Sequence, residues 1–247
     1  MGQKTASLLI IGNEILSGKT QDKNLNYIAK KLVELGIRFA EVRVVPDIDV
    51  EIIEAVNALR GKYDYVFTTG GIGPTHDDIT TECISKAFGV NMICHPEAKN
   101  ALVEYYDTRP DVELNESRLR MANTPEGADL IPNPLTSAPG YKKENVFVLA
   151  GIPKIMNVMF DFAIKYLETG KIMHSKTISI KAVEGDIAEE LGKIQEEFPE
   201  TEIGSYPFLH EGGFAVSVVI RSLDDSKIEE AHERVLSFVS NIDASLL

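Results

Sequence analysis

Basic side chains are scarce in this sequence. Lys and Arg number 25 against 38 Asp and Glu, a formal net charge of -13. So little positive charge argues against general nucleic-acid binding, which needs basic surface to neutralise phosphates. It also means that an anionic small molecule needs a cation, or a few placed Lys and Arg, to be held. Cysteine is nearly missing. Cys83 and Cys94 lie among core-type residues, and without a C-x-x-C pair they argue against a thiolate zinc site and fit a reducing compartment. The five histidines (His76, His95, His174, His210 and His232) lack zinc-ligand spacing, and no Ser-His-Asp arrangement stands out. Long apolar runs are absent too. Leu8–Ile11 is too short for a membrane span or for the apolar part of a signal peptide. The expectation is a cytoplasmic chain that meets neither membrane nor nucleic acid. Repeats and low-complexity tails are also lacking.

What is present fits an ordinary globular protein. The 247 residues are 44% hydrophobic and 26% charged, enough for one large domain or a main domain with a small partner. Short apolar runs alternate with helical periodicity. Strands are expected at Leu8–Ile11, Phe39–Val45 and Tyr65–Thr68. Helices are expected around Leu25–Leu35, Ile52–Leu59 and Thr80–Phe88, each closed by a glycine. This βαβαβα order predicts a mostly parallel sheet with helices on both faces. Further on, helices are expected at Pro96–Tyr106 and Leu114–Met121, a turn at Thr124–Gly127, a short strand at Ala128–Ile131 and a loop from Pro132 to Gly140. A core strand at Val146–Leu149 and a helix at Ile155–Leu167 complete the first part. Thr169-Gly-Lys171 is the expected boundary, giving an α/β domain over 1–168 and a small two-layer α+β domain over 172–247.

The chemistry gathers in two loops. Thr69-Gly-Gly-Ile-Gly-Pro-Thr-His-Asp-Asp78 follows the third strand. Gly70, Gly71 and Gly73 let the backbone turn and expose N–H groups to a phosphate, while Thr75, Asp77 and Asp78 supply oxygens. Gly12-Asn-Glu-Ile-Leu-Ser-Gly18 follows the first strand and contributes Gly12, Asn13 and Glu14 to the same rim. Three carboxylates, Glu14, Asp77 and Asp78, suit Mg²⁺, Mn²⁺ or Co²⁺ bound together with a substrate phosphate. The same residues also read as loop-ordering or helix-capping acids. Asn115 and Arg118 lie a helical turn apart and face one ligand or a surface ion pair; Ser137 and Gly151 sit in loops near the rim. His76 is either a base or a solvent-facing loop residue. Neither glycine loop completes a dinucleotide fingerprint or a P-loop. Met156 and Met159 are assigned to the core.

These two loops resemble the molybdopterin-binding domain superfamily, and more closely the amino-terminal domain of CinA-type competence/damage-inducible proteins. Thr124-Pro-Glu-Gly-Ala128, the stretch from Pro132 to Gly140 and Gly151-Ile-Pro153 follow the same pattern, over roughly residues 5–168. Ile203-Gly-Ser-Tyr-Pro207 resembles the small domain that follows in those proteins. The resemblance implies a three-layer α/β sandwich. It implies metal-dependent hydrolysis of a nucleotide pyrophosphate such as ADP-ribose or FAD, with Glu14, Asp77 and Asp78 as catalytic and metal-holding acids and Asn115 and Arg118 on the substrate. The alternatives are molybdopterin binding or adenylylation in molybdenum-cofactor biosynthesis, and a non-catalytic module for a nucleotide or pterin phosphate. A homo-oligomer is expected, a dimer before a trimer. Ala150-Gly-Ile-Pro-Lys-Ile155 departs from the family's Pro-Gly-Pro-Pro-Ser-Glu, and no amidase domain follows, so no deamidase activity is expected.

Overall fold

One strand with two apolar faces decides the architecture. In β1 (Thr5–Ile11) Leu8 and Ile10 enter one core while Leu9 and Ile11 enter another, all of them buried. Successive side chains of a strand point to opposite faces, so such a strand needs cover on both sides. The computed structural model, which describes residues 3–109, 111–242 and 245–247, supplies that cover. After β1 come α1 (Asn13–Leu16), α2 (Asn24–Glu34), β2 (Arg38–Val45), α3 (Asp49–Arg60), β3 (Tyr65–Thr69) and α4 (Thr80–Phe88). Then follow β4 (Met92–Cys94), α5 (Pro96–Asp107), α6 (Glu116–Leu119), β5 (Asn123–Pro125), β6 (Asp129–Ile131), β7 (Gly140–Lys143), β8 (Val146–Leu149) and α7 (Pro153–Ala163).

Six strands form one sheet in the order β2-β1-β3-β8-β7-β6. The first four run parallel; β7 alone runs the other way, antiparallel to both β8 and β6. On one face α2 and α7 bring Ile28, Leu32, Met156 and Phe160 onto Leu8, Phe67 and Phe147. On the other, α3 and α4 bring Ile52, Leu59 and Ile84 onto Leu9, Val66 and Val148. Phe67 stacks on Phe147 at 5.0 Å between ring centroids and meets Phe160 at 5.0 Å. The result is the expected three-layer α/β sandwich.

Several elements differ from expectation. The turn expected at Thr124–Gly127 opens as β5, which pairs with the three-residue β4 in a separate ribbon. Gly140, expected in a loop, begins β7. Such short strands carry too few residues for alternation to register. Cys94, expected among core residues, lies on β4 and is exposed, whereas Cys83 on α4 is buried.

Two compact units divide the chain, Met1–Gly170 and Lys171–Leu247. The second contains β9 (His174–Lys181), α8 (Glu184–Glu197), β10 (Glu202–His210), β11 (Gly213–Ser222), α9 (Asp225–Val239) and β12 (Ser245–Leu246). Its antiparallel sheet has the order β10-β11-β9-β12. Ile178, Ile180, Val216, Val218 and Ile220 of the sheet pack on Ile187, Ile194, Ala231 and Val235 of the two helices, giving a small α+β fold with its own core. Among the described residues no helix is long and apolar enough to cross a membrane.

Candidate functional site

Strands β1, β3 and β8 are adjacent and parallel, so their carboxyl ends share one rim. The chain leaves β1 for β2 on one side, and β3 lies on the other. Loops part at such a point and leave a crevice. A cleft of about 580 Å³ opens there. Glu14 follows β1, Gly70 to Pro74 and Asp78 follow β3, and Gly151 to Pro153 follow β8.

The floor is a backbone turn that no side chain can replace. Gly70 has φ +104, and a Cβ there would lie 2.1 Å from the Ile11 carbonyl oxygen. Gly71 has φ +67, and its Cβ would lie 2.1 Å from the Thr80 hydroxyl. Positive φ of this kind belongs to glycine. Thr80 fastens the turn: its hydroxyl donates to the Gly70 carbonyl at 3.0 Å, and its N–H to the Gly71 carbonyl at 3.0 Å. The Gly71, Ile72 and Gly73 N–H groups donate to no acceptor among the described residues. Successive N–H groups left without partners in a glycine turn are the kind of backbone arrangement that can hold an anion.

Part of the lining is aromatic. Tyr105 and Tyr106, at the end of α5, line the cleft with ring centroids 5.3 Å apart and planes at 82°. The Arg109 guanidinium lies 3.6 Å over the Tyr105 ring, a cation–π contact that holds that ring in place. The rest of the wall is the loop before β7. Buried Asn133 shapes it, donating to the Thr136 hydroxyl at 2.6 Å and the Ala138 carbonyl at 2.9 Å and accepting from the Leu135 N–H at 3.2 Å. Met159 closes the bottom; its Sδ accepts from the Ala150 N–H at 3.3 Å, and with Met156 it belongs to the core as expected.

The sequence-derived site residues fall into three groups. Glu14, Gly70, Gly71, Gly73, Asp78 and Gly151 line the cleft. Thr75, Asn115 and Arg118 line a neighbouring hollow together with His76, Ser117 and Arg120. Gly12, Asn13, Asp77 and Ser137 line neither. Gly12 has already given its N–H to the Val45 carbonyl at 3.2 Å, and Asn13 its own to the Asp47 carboxylate at 2.8 Å. Ser137 is a left-handed turn residue with φ 57. Asn115 caps α6, its side-chain oxygen accepting from the Arg118 N–H at 3.0 Å. The Arg118 guanidinium donates to the Glu113 carbonyl and lies 5.5 Å over the Tyr106 ring.

The expected metal centre is corrected. Among the described residues no group of three or more His, Cys, Asp or Glu side chains comes together to hold a metal ion. Asp78 explains part of this. Its carboxylate turns back on its own loop, accepting from the Thr75 N–H at 2.8 Å and the Thr75 hydroxyl at 2.5 Å. Asp77 is exposed and outside the cleft. Glu14 folds over Gly12, its Oε2 2.6 Å from where a Cβ of that glycine would stand. The divalent cofactor, whether Mg²⁺, Mn²⁺ or Co²⁺, loses its ligand set. With it go the metal-dependent hydrolase and pyrophosphatase acting on ADP-ribose or FAD, and the metal-holding role given to Glu14, Asp77 and Asp78.

Sequence reasoning missed Tyr105, Tyr106, Asn133, Thr136 and Arg120. The tyrosines read as part of an amphipathic helix, and the loop residues reach the rim only once β6 and β7 pair. A doubled tyrosine at a helix end was the one signal for them.

A family described as a probable molybdopterin binding domain matches residues 7–169, and one described as the FAD synthase middle domain matches residues 172–243. The chain is 33% identical to a protein of Archaeoglobus fulgidus over 226 residues, 91% of this chain and 93% of that one. It is 37% identical over 168 residues to a CinA-like protein of Sulfurihydrogenibium sp., covering 66% of this chain but 42% of the relative. The crystal structure of the protein CinA with unknown function from Thermoplasma acidophilum superposes with a TM-score of 0.60 at 32% identity, over 66% of this chain and 98% of that one.

Proposed function

From the premise that this chain belongs to the molybdopterin-binding domain family, being related to CinA-like proteins, we propose that its cleft binds a pterin phosphate of the molybdopterin class. The observation that carries the reading is the row of free N–H groups on Gly71, Ile72 and Gly73 in the cleft that Tyr105 and Tyr106 also line. A phosphate accepts from the N–H groups of such a turn without needing a metal ion. A flat pterin ring stacks on one of Tyr105 and Tyr106 and meets the other edge-on, their planes standing at 82°. The volume of about 580 Å³ lies within the range of small-molecule pockets. The floor's own carboxylate is engaged, since one oxygen of Asp78 accepts from the Thr75 N–H and hydroxyl.

The test is anaerobic titration with molybdopterin, read by pterin fluorescence. Saturable binding at one pterin per chain is the expected result. Ile152→Glu introduces a carboxylate at an exposed position of the rim, 62% accessible, where folding does not depend on the side chain. It weakens binding at least about tenfold, because like charges repel in a partly dry cleft. A folded protein that binds no molybdopterin would overturn the proposal.

A further inference from the structure

Four large apolar side chains of the second unit lie outside its core. Tyr206, Phe208, Leu209 and Phe214 are exposed, Leu209 by 76% and Phe214 by 65%. None of them belongs to the cluster that α8 and α9 cover. All four sit near the tip of the hairpin of β10 and β11. Leu209 and Phe214 are direct cross-strand partners and share one face, while Tyr206 and Phe208 alternate onto the other. The tip is therefore apolar on both faces, the condition that makes β1 need cover on two sides. Here neither face has it.

The hairpin holds its shape without a partner. Glu211 (φ 46) and Gly212 (φ 76) form a two-residue turn closed by the pair His210 and Gly213, with the positive φ at both central positions that a tight hairpin needs. Arg221 donates to the Tyr206 hydroxyl at 3.3 Å, and Phe208 meets His210 edge-on with ring centroids 6.4 Å apart. Two of the rings are thus placed in advance, which lowers the entropy lost on association. The open edge of β10 does not accept a further strand. The Ile203 N–H points to that side and donates to the Gln195 side chain at 2.8 Å. Alternate residues point the same way, so Pro207 offers the edge no N–H. Cover has to come from side chains packed on the tip.

Charge selects what brings that cover. From Ile203 to Ile220, Glu211 is the single Asp, Glu, Lys or Arg, in a chain that is 26% charged with a net charge of -13. A basic partner is drawn instead to carboxylate-rich faces such as that of α8, with Glu184, Asp186, Glu189 and Glu190. A second copy of this chain is repelled by those same faces and approaches most easily where neither copy carries charge. Aromatic residues with little charge are also the composition of an interface centre. We propose that two copies of this chain associate through the β10–β11 hairpin, tip against tip about a two-fold axis, with Leu209 and Phe214 at the centre. A two-fold contact uses the same patch on both copies, and the hairpin is such a patch. The inference is independent of the pterin reading of the cleft.

Sedimentation velocity of the full chain between about 1 and about 100 µM tests this. The expected result is a dimer at the upper end that dissociates on dilution. Raising NaCl to about 0.5 M strengthens it, because salt screens the repulsion between acidic copies and spares an apolar contact. Leu209→Ser with Phe214→Ser weakens the dimer at least about tenfold, and Leu209→Ser alone at least about threefold. Both positions are exposed and outside the core, so the melting temperature of the diluted variants stays that of the diluted wild type. Val50→Ser, at an exposed apolar position on α3 of the first unit, changes the association less than about twofold. A wild type that is monomeric at about 100 µM overturns the proposal; if phosphatidylcholine vesicles retain that monomer and release the double variant, a lipid surface is the cover. A dimer that the hairpin variants leave intact, or that salt dissociates, overturns it as well.

Discussion

Single glycines differ sharply in what they hold up. Gly70 and Gly18 both have positive φ, at +104 and +71, but a Cβ on Gly18 meets nothing within 4 Å, whereas one on Gly70 strikes the Ile11 carbonyl. Gly18→Ala therefore carries only the left-handed backbone penalty, about 1 kcal/mol. Gly70→Ala adds a backbone clash at the centre of the sheet and is expected to cost about 3 kcal/mol or more. Urea denaturation of the two variants beside the wild type measures both, and equal losses would contradict the locked turn. The glycines after β3 were legible because a glycine run directly behind an apolar strand marks a sharp backbone turn at the strand's carboxyl end. Tyr105, Tyr106 and Arg120 were not, because their places depend on how α5 and the 116–122 segment fold back, which no local pattern encodes.

At the level of elements, β2 is an edge strand and is guarded as edges usually are. Its pairing with β1 shifts register so that Ala40 is left over, a bulge that twists the strand and discourages further pairing. Glu41, next to the bulge, accepts from Lys62 at 2.8 Å, Tyr63 at 2.6 Å and Arg43 at 2.6 Å, tying β2 to the turn before β3. Lys62 first, then Tyr63 and Arg43, hold the Glu41 carboxyl down to about 2. A carboxylate with a lowered folded pKa contributes stability above its unfolded pKa of about 4.3, and that contribution is lost as pH falls towards 2. The wild type should therefore melt above Glu41→Gln at pH 7, with the gap closing between pH about 4 and 2. Thermal melts across that range measure it; a gap that persists at pH 2 would mean that the ionised carboxylate is not its source. The central elements were legible because strands apolar on both faces and glycine-stopped helices repeat strongly. The ribbon of β4 and β5 and the return strand β7 were not, since pairing with a partner makes three- and four-residue strands, not their own sequence.

Across the whole chain, the two compact units have separate cores. Every residue of the second core lies between Ile178 and Ile242. The segment Lys171–Leu247 expressed alone is therefore expected to unfold in one cooperative step, with a stability of no more than about 5 kcal/mol, the usual ceiling for a core of that size. Circular dichroism against urea measures it; a gradual, non-sigmoidal loss of signal would show that this core is insufficient alone. In the first unit, the division of labour within the cleft has a longer consequence. The floor is peptide backbone, locked by steric exclusion, and offers heritable variation almost nothing to act on: substitutions at Gly70 or Gly71 break the turn rather than retune it. The walls are side chains on a helix end and a loop, where replacement leaves the sheet intact. Descendants of such a site would drift in the walls of the cleft while keeping the same turn at its floor.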